Sequence, residues 1–242
     1  MSQTTYMQPA IMVAALALAA CLPLAVFASP GAGPESSDKA SAEYLYGIPS
    51  GLNLNTIIDK PLILGWTNYV FKDSASGEKR LGGYADVVAI YDISMQELLD
   101  VSIDFESYPS FVPRIYGTSI LSQDGQRYRL LYNAGIKFLG LQVTYDSVFE
   151  TVLEYLPDGG AGLRSWLIAS LDDGSYEHFT SFYFCPVTVQ GRTMTFMRYF
   201  NRPGIKHPSA GMLQVLNLFT PPEARSQVSA IAREAERRSG RR

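Results

Sequence analysis

Residues Asp92 to Arg114 read DISMQELLDVSIDFESYPSFVPR. Ser94 suits a helix N-cap, and Glu97, three residues on, completes a capping box. Leu98, Leu99, Val101 and Ile103 then supply the apolar side of a helix of about three turns. Phe105, Tyr108, Phe111 and Val112 follow at spacings of three or four, with Pro109 and Pro113 expected to cut this second helical piece short. The stretch therefore predicts a kinked pair of short helices, closed by a proline exit into a strand.

On either side the pattern is β. Leu62 to Phe71 and Gly83 to Tyr91 read as strands joined through the polar turn Lys72 to Arg80, a hairpin. From Ile115 the apolar period becomes two. Ile115 to Ser122 and Arg127 to Ala134 form a second hairpin about Gln123-Asp124-Gly125-Gln126. Leu139 to Tyr155 is one long strand or two, Leu163 to Leu171 another, and Tyr176 to Val189 a long one with a bend expected at Pro186. Gln190-Gly191-Arg192 turns the chain into Thr193 to Phe200. Asn201 to Ser209, with two prolines, reads as a loop. Ala210 to Phe219 has helical spacing and a wide apolar face. Pro221-Pro222 should interrupt it, and Glu223 to Arg238 should restart it. This order predicts an α+β domain: a curved antiparallel sheet wrapped round a C-terminal helix, with two short helices after an early strand. Such a sheet is not always filled by the chain's own side chains and then encloses a cavity.

The chain has 242 residues, enough for one sizeable core, and a net charge of −3. With an isoelectric point near 5.4 it has no overall basic field, so no nucleic-acid partner is expected. Arg237, Arg238, Arg241 and Arg242 give a basic tail, read as a solvated face, with transient membrane contact as the alternative. A monomer is expected. Residues 1–28 read as an export signal: an apolar run from Ala10 to Ala20, a break at Pro23 and a cleavage point after Ala28. No Lys or Arg precedes the run, which departs from the usual pattern. A lipidated Cys21, after Leu18-Ala19-Ala20, is the competing reading, and a retained anchor the third. A periplasmic or secreted location follows from the first. Residues 29–60 read as a linker and irregular extension, of which Tyr44 to Leu54 could dock on the domain; 61–238 form the domain and 239–242 the tail. Two Cys and two His, far apart, give no metal-ligand spacing, and no cofactor is expected. Cys185, within Phe182-Tyr183-Phe184-Cys185-Pro186, reads as a buried small hydrophobe.

The stretch from Asp92 to Arg114 resembles the START-like superfamily, also called SRPBCC or the polyketide cyclase/dehydrase and lipid-transport proteins. Asp104, Phe105, Tyr108, Pro109, Phe111 and Pro113 stand where that superfamily carries an acidic residue, an aromatic and a Tyr-Pro pair in the second short helix. The resemblance extends over Leu62 to Arg238 and implies a helix-grip fold with an internal cavity. An added strand at Leu62 to Phe71 and the break at Pro221-Pro222 depart from the family's pattern.

The function implied is binding or carriage of a hydrophobic ligand such as a lipid, quinone or isoprenoid-like molecule. The inward candidates are Tyr128, Leu130, Tyr132, Leu141, Val143, Tyr145, Phe182, Phe184, Met197, Met212, Leu216 and Phe219, apolar or carrying one hydroxyl. Each would serve equally as ordinary core. His178, in phase with Phe182 and Phe184, is also expected to face inward. The alternative is a cyclase- or dehydratase-type enzyme, for which His178 is the acid–base candidate; no nucleophile or phosphate-loop motif supports it. Arg114 and Arg198 are candidates for a ligand carboxylate or phosphate, or for ordinary ion pairs. A third reading is an interaction module with a collapsed cavity.

Overall fold

A computed structural model describes residues 46–138 and 141–241. The expected export signal, Cys21 and most of the expected linker lie outside these residues, as do the side chains of Leu141 and Val143.

Eight antiparallel strands form one sheet in the order β1-β2-β8-β7-β6-β5-β4-β3. They are β1 (Leu62–Lys72), β2 (Lys79–Tyr91), β3 (Ile115–Asp124), β4 (Arg127–Phe138), β5 (Leu141–Tyr155), β6 (Ala161–Ser170), β7 (Ser175–Val189) and β8 (Arg192–Lys206). Only β2 to β8 joins strands distant in sequence, and the segment between β2 and β3 holds the short helices. Register shifts between Ile63 and Gly65, between Ile120 and Ser122, and between Val148 and Phe149 mark bulges, which bend a strand and increase its twist.

Helix α1 (Met95–Ile103) begins at Ser94, whose Oγ accepts from the Glu97 amide while Glu97 returns a carboxylate to the Ser94 amide, so the capping box is complete. Leu98, Leu99 and Val101 are buried. A single 3-10 turn (Phe105–Ser107) leads into α2 (Tyr108–Phe111). Pro109 does not cut this piece. It lies in the first turn of α2, where a missing N–H has no helical partner to lose. Pro113 does follow its end.

Two further expectations are corrected. The segment from Asn201 is no loop: β8 runs on to Lys206, with Pro203 opposite His178. The β2–β8 ladder skips from Gly82–Gly204 to Ala85–Asn201, and this gap takes the proline that lacks a donor. Likewise Pro221 and Pro222 lie inside a continuous helix α3 (Met212–Arg238). The carbonyls they fail to bond lie about the exposed Leu218, where water can serve them. Asn68 of β1 also donates to Asn217 Oδ1 (3.1 Å) and Thr220 Oγ1 (3.0 Å), fixing the preceding turn to the sheet.

Over β2, β7 and β8 the sheet is covered on both faces. On one, Val87, Ala89, Leu130, Leu163, Phe184 and Met197 pack with α1, α2 and the second half of α3. On the other, Val88, Ile90, Tyr183, Met194 and Phe196 are covered by Tyr46, Leu52, Leu54, Ile57 and Ile58. Ile58 bridges Ile90, and Tyr46 stacks obliquely against Tyr183 at 5.9 Å. The later part of the expected linker is therefore a strap over the second face. Cys185 is half-buried at the edge of that cluster.

The basic tail folds back. Arg237 and Arg238 pair with Glu234, Arg238 reaches Asp104 (2.7 Å), and Arg241 pairs with Glu97 and donates to the Asp92 carbonyl (2.7 Å).

Candidate functional site

Between the first face of the sheet, α2 and α3 lies a cavity of about 310 Å³. That is the lower end of the range for small-molecule sites. Its wall is mostly aromatic and aliphatic, and it includes Phe105, Tyr108, Tyr132, Phe149, Phe182, Tyr199, Leu216, Phe219 and Ile231.

Strands β4 to β8 supply side chains at alternate positions. On β5, Tyr145, Ser147 and Phe149 line the cavity; on β7, His178, Thr180 and Phe182; on β8, Tyr199 and Asn201. The ladder sets Thr180 opposite Asn201 and Phe182 opposite Tyr199. Asn201 Oδ1 thus accepts from Thr180 Oγ1 (3.0 Å) and meets His178 Nε2 (2.8 Å). The His178 ring stands edge-on to Phe149 at 5.1 Å. Burial pushes the imidazole below its ordinary pKa, opposed by the bond to Asn201, so the ring is neutral at neutral pH.

Among the described residues, the helical side carries the only formal charges on the wall. Arg114 sits in the left-handed region at φ +64, a conformation uncommon outside glycine, at the turn into β3. Its Nε lies 2.7 Å from Glu223 Oε2, and its guanidinium lies 5.3 Å from the centre of the Phe219 ring. Gln227 donates to the Pro113 carbonyl (3.1 Å) and to Glu223 Oε1 (3.2 Å), so α3 is tied twice to this turn. Burial raises the Glu223 carboxyl above its usual value, with the Arg114 charge and the Gln227 bond acting against it.

Tyr108 donates to the Ser102 carbonyl, whereas the hydroxyls of Tyr132 and Tyr199 have no protein partner among the described residues. Burial raises the pKa of both phenols, for Tyr199 with a further contribution from Glu223. Among the described residues no cluster of three His, Cys, Asp or Glu side chains could hold a metal ion.

Of the residues singled out in the sequence, Arg114, Tyr132, Tyr145, His178, Phe182, Leu216 and Phe219 reach the cavity. Tyr128, Leu130, Phe184 and Met197 face the same side of the sheet but lie in the core beside it; Tyr128, for example, packs edge-on against Phe105 at 5.1 Å. Met212 is half-exposed at the start of α3, off the cavity wall. Arg198 lies on the opposite face, where Nε and Nη2 bond both oxygens of Asp86 at 2.9 and 2.7 Å. Thr180, Ser147 and Phe149 were missed although they continue the phase of residues already chosen, and Tyr199 although it shares a face with Met197. Asn201 was hidden by the loop reading, and Glu223 and Gln227 by the expected helix break.

No family model matches the chain, and no curated protein matches it. Solved structures do. The STAR-related lipid transfer protein (fragment 25–204) of Xanthomonas axonopodis superposes with a TM-score of 0.51 at 13% identity, over 72% of this chain and 94% of that one. Human StAR-related lipid transfer protein 5 superposes with a TM-score of 0.51 at 12% identity, over 74% and 88%. The chain thus has the helix-grip α+β fold of the START-like proteins.

Proposed function

We propose that this protein is an exported binder or carrier of a hydrophobic small molecule, a lipid, quinone or isoprenoid-like compound, held between the sheet and α3. The observation that carries this reading is the cavity itself: about 310 Å³, walled chiefly by aromatic and aliphatic side chains. A collapsed cavity would have favoured an interaction module. Mass spectrometry of the purified protein under native conditions, followed by solvent extraction, tests it. A co-purifying apolar compound is expected; a protein that carries none and takes up none from a lipid extract overturns it. Export is a separate part of the proposal, supported by the apolar run from Ala10 to Ala20 ahead of Ala28. N-terminal sequencing of the extracytoplasmic form should begin at Ser29, and a lipidated Cys21 would replace that reading.

A cyclase or dehydratase acting in the same cavity is the second reading. It is favoured by one observation: a neutral His178 and a Glu223 of raised pKa share the wall. It requires turnover of the extracted compound that His178→Ala abolishes.

A further inference from the structure

The wall has a charge pattern that constrains its ligand. Among its lining residues Arg114 is the one guanidinium or ammonium and Glu223 the one carboxylate, and they pair with each other. Gln227 adds a donor to Glu223, and Phe219 covers the Arg114 guanidinium. The wall also carries polar groups without charge: the Tyr132 and Tyr199 hydroxyls, and the Asn201 amide, whose Oδ1 is engaged by Thr180 and His178. The Asn201 Nδ2 has no protein partner among the described residues, and Tyr199 is only 7% exposed. These donors open onto the cavity and are not spent on the protein, so an acceptor brought by the ligand can take them up, whereas an apolar group set against them would cost their hydration.

We infer that the site selects an uncharged ligand, an apolar body bearing a carbonyl or hydroxyl oxygen read by Asn201, and that the Arg114–Glu223 pair excludes carboxylates and phosphates. This rests on the carrier reading and makes it more specific. An anion entering the cavity would find Arg114, the one cation among the described lining residues, already neutralised, and would be desolvated without compensation. Removing the Glu223 charge should therefore unmask Arg114 and admit anions. The volume also falls short of what the two acyl chains of a diacyl lipid require.

Three probes of one shape separate the possibilities: acetylnaphthalene, naphthoate and ethylnaphthalene, which differ only in the head group. Their affinities for the full chain are measured by calorimetry at neutral pH. Acetylnaphthalene should bind about tenfold more tightly than naphthoate. Asn201→Leu should weaken acetylnaphthalene about tenfold and leave ethylnaphthalene unchanged, which also shows that the variant is folded. Glu223→Gln should tighten naphthoate about tenfold with little effect on ethylnaphthalene. Equal or tighter naphthoate binding by the parent protein, or no gain in Glu223→Gln, overturns the inference and leaves the carrier reading in place. If none of the three binds, both fall.

Discussion

Arg198 shows how far a residue's chemistry can be read without its surroundings. Its guanidinium was a reasonable candidate for a ligand anion, yet it makes a two-pronged bond to Asp86 on the strapped face, with Nη1 near the Gly47 carbonyl at 3.4 Å. Asp86 and Arg198 occupy neighbouring strands and are 112 residues apart, so no local pattern announces them. Both side chains are less than one-tenth exposed. Removing one member of such a pair strands charge in a poorly solvated site. Asp86→Ala should lower the unfolding free energy by about 3 kcal/mol in a urea titration, and joint replacement by Asp86→Leu and Arg198→Met should cost much less. Arg114 was legible as a site residue; its partner was not, because Glu223 was read as the first turn of a separate helix.

At the scale of elements, legibility followed locality. The capping box of α1 is written in four consecutive residues and forms as read. The hairpin periods are likewise local. What failed were prolines. Pro109, Pro203, Pro221 and Pro222 all lie within regular structure, because position in the first turn, a ladder gap or a solvated carbonyl removes most of the penalty that sequence alone assigns. The strap was legible only as an irregular segment, Tyr44 to Leu54, that could dock on the domain, since it has little periodicity; that the attachment continues to Ile57 and Ile58 was not. Its attachment depends on a glycine: a Cβ on Gly162 would run into the Tyr46 ring. Gly162→Ala should therefore loosen the segment from Tyr46 to Ile58, leaving the helices in place. Limited proteolysis should cut that segment several-fold faster than in the parent, while far-ultraviolet circular dichroism is unchanged. Equal cleavage rates would show that Tyr46 is not the anchor.

For the molecule as a whole, fold class was readable and cavity membership only partly so. Strand phase says which face a side chain takes, but not whether α1, α2 and α3 fill the space above it. Tyr128 and Tyr132 share one face of β4, and only the second meets the void. The distribution of charge makes a further global prediction. Arg237 and Arg238 hold the Glu234 carboxyl down at about 2 from an ordinary 4.5, and Arg238 also links α3 to Asp104. A depressed folded pKa means that the unfolded chain binds more protons in this window. The stabilisation is thus complete above about pH 4.5 and is lost as pH falls towards 2. Glu97, Asp73, Asp158 and Asp173 are depressed as well and act in the same direction. Glu223 is raised and acts oppositely: its contribution is present below its ordinary value and is lost as pH rises through the elevated one. Chemical denaturation should show a rise in stability between about pH 2 and 4.5 that Glu234→Gln reduces, and, above about pH 4.5, a loss with rising pH that Glu223→Gln removes.

The strap has a mechanical consequence. A sheet packed on one side only can flex to suit its contents, but this one is clamped from behind by Ile57 and its neighbours. The cavity accordingly has a stiff wall and a compliant one. In α3 the buried residues begin only at Ala224; from Met212 to Thr220 none is buried, and the two prolines remove backbone bonds just beyond. A molecule entering or leaving meets least resistance there, so amides of Met212 to Thr220 should exchange with solvent faster than those of Val228 to Ala235, and slow when the cavity is filled. The strap, far from the cavity, would thereby decide which of its walls acts as the door.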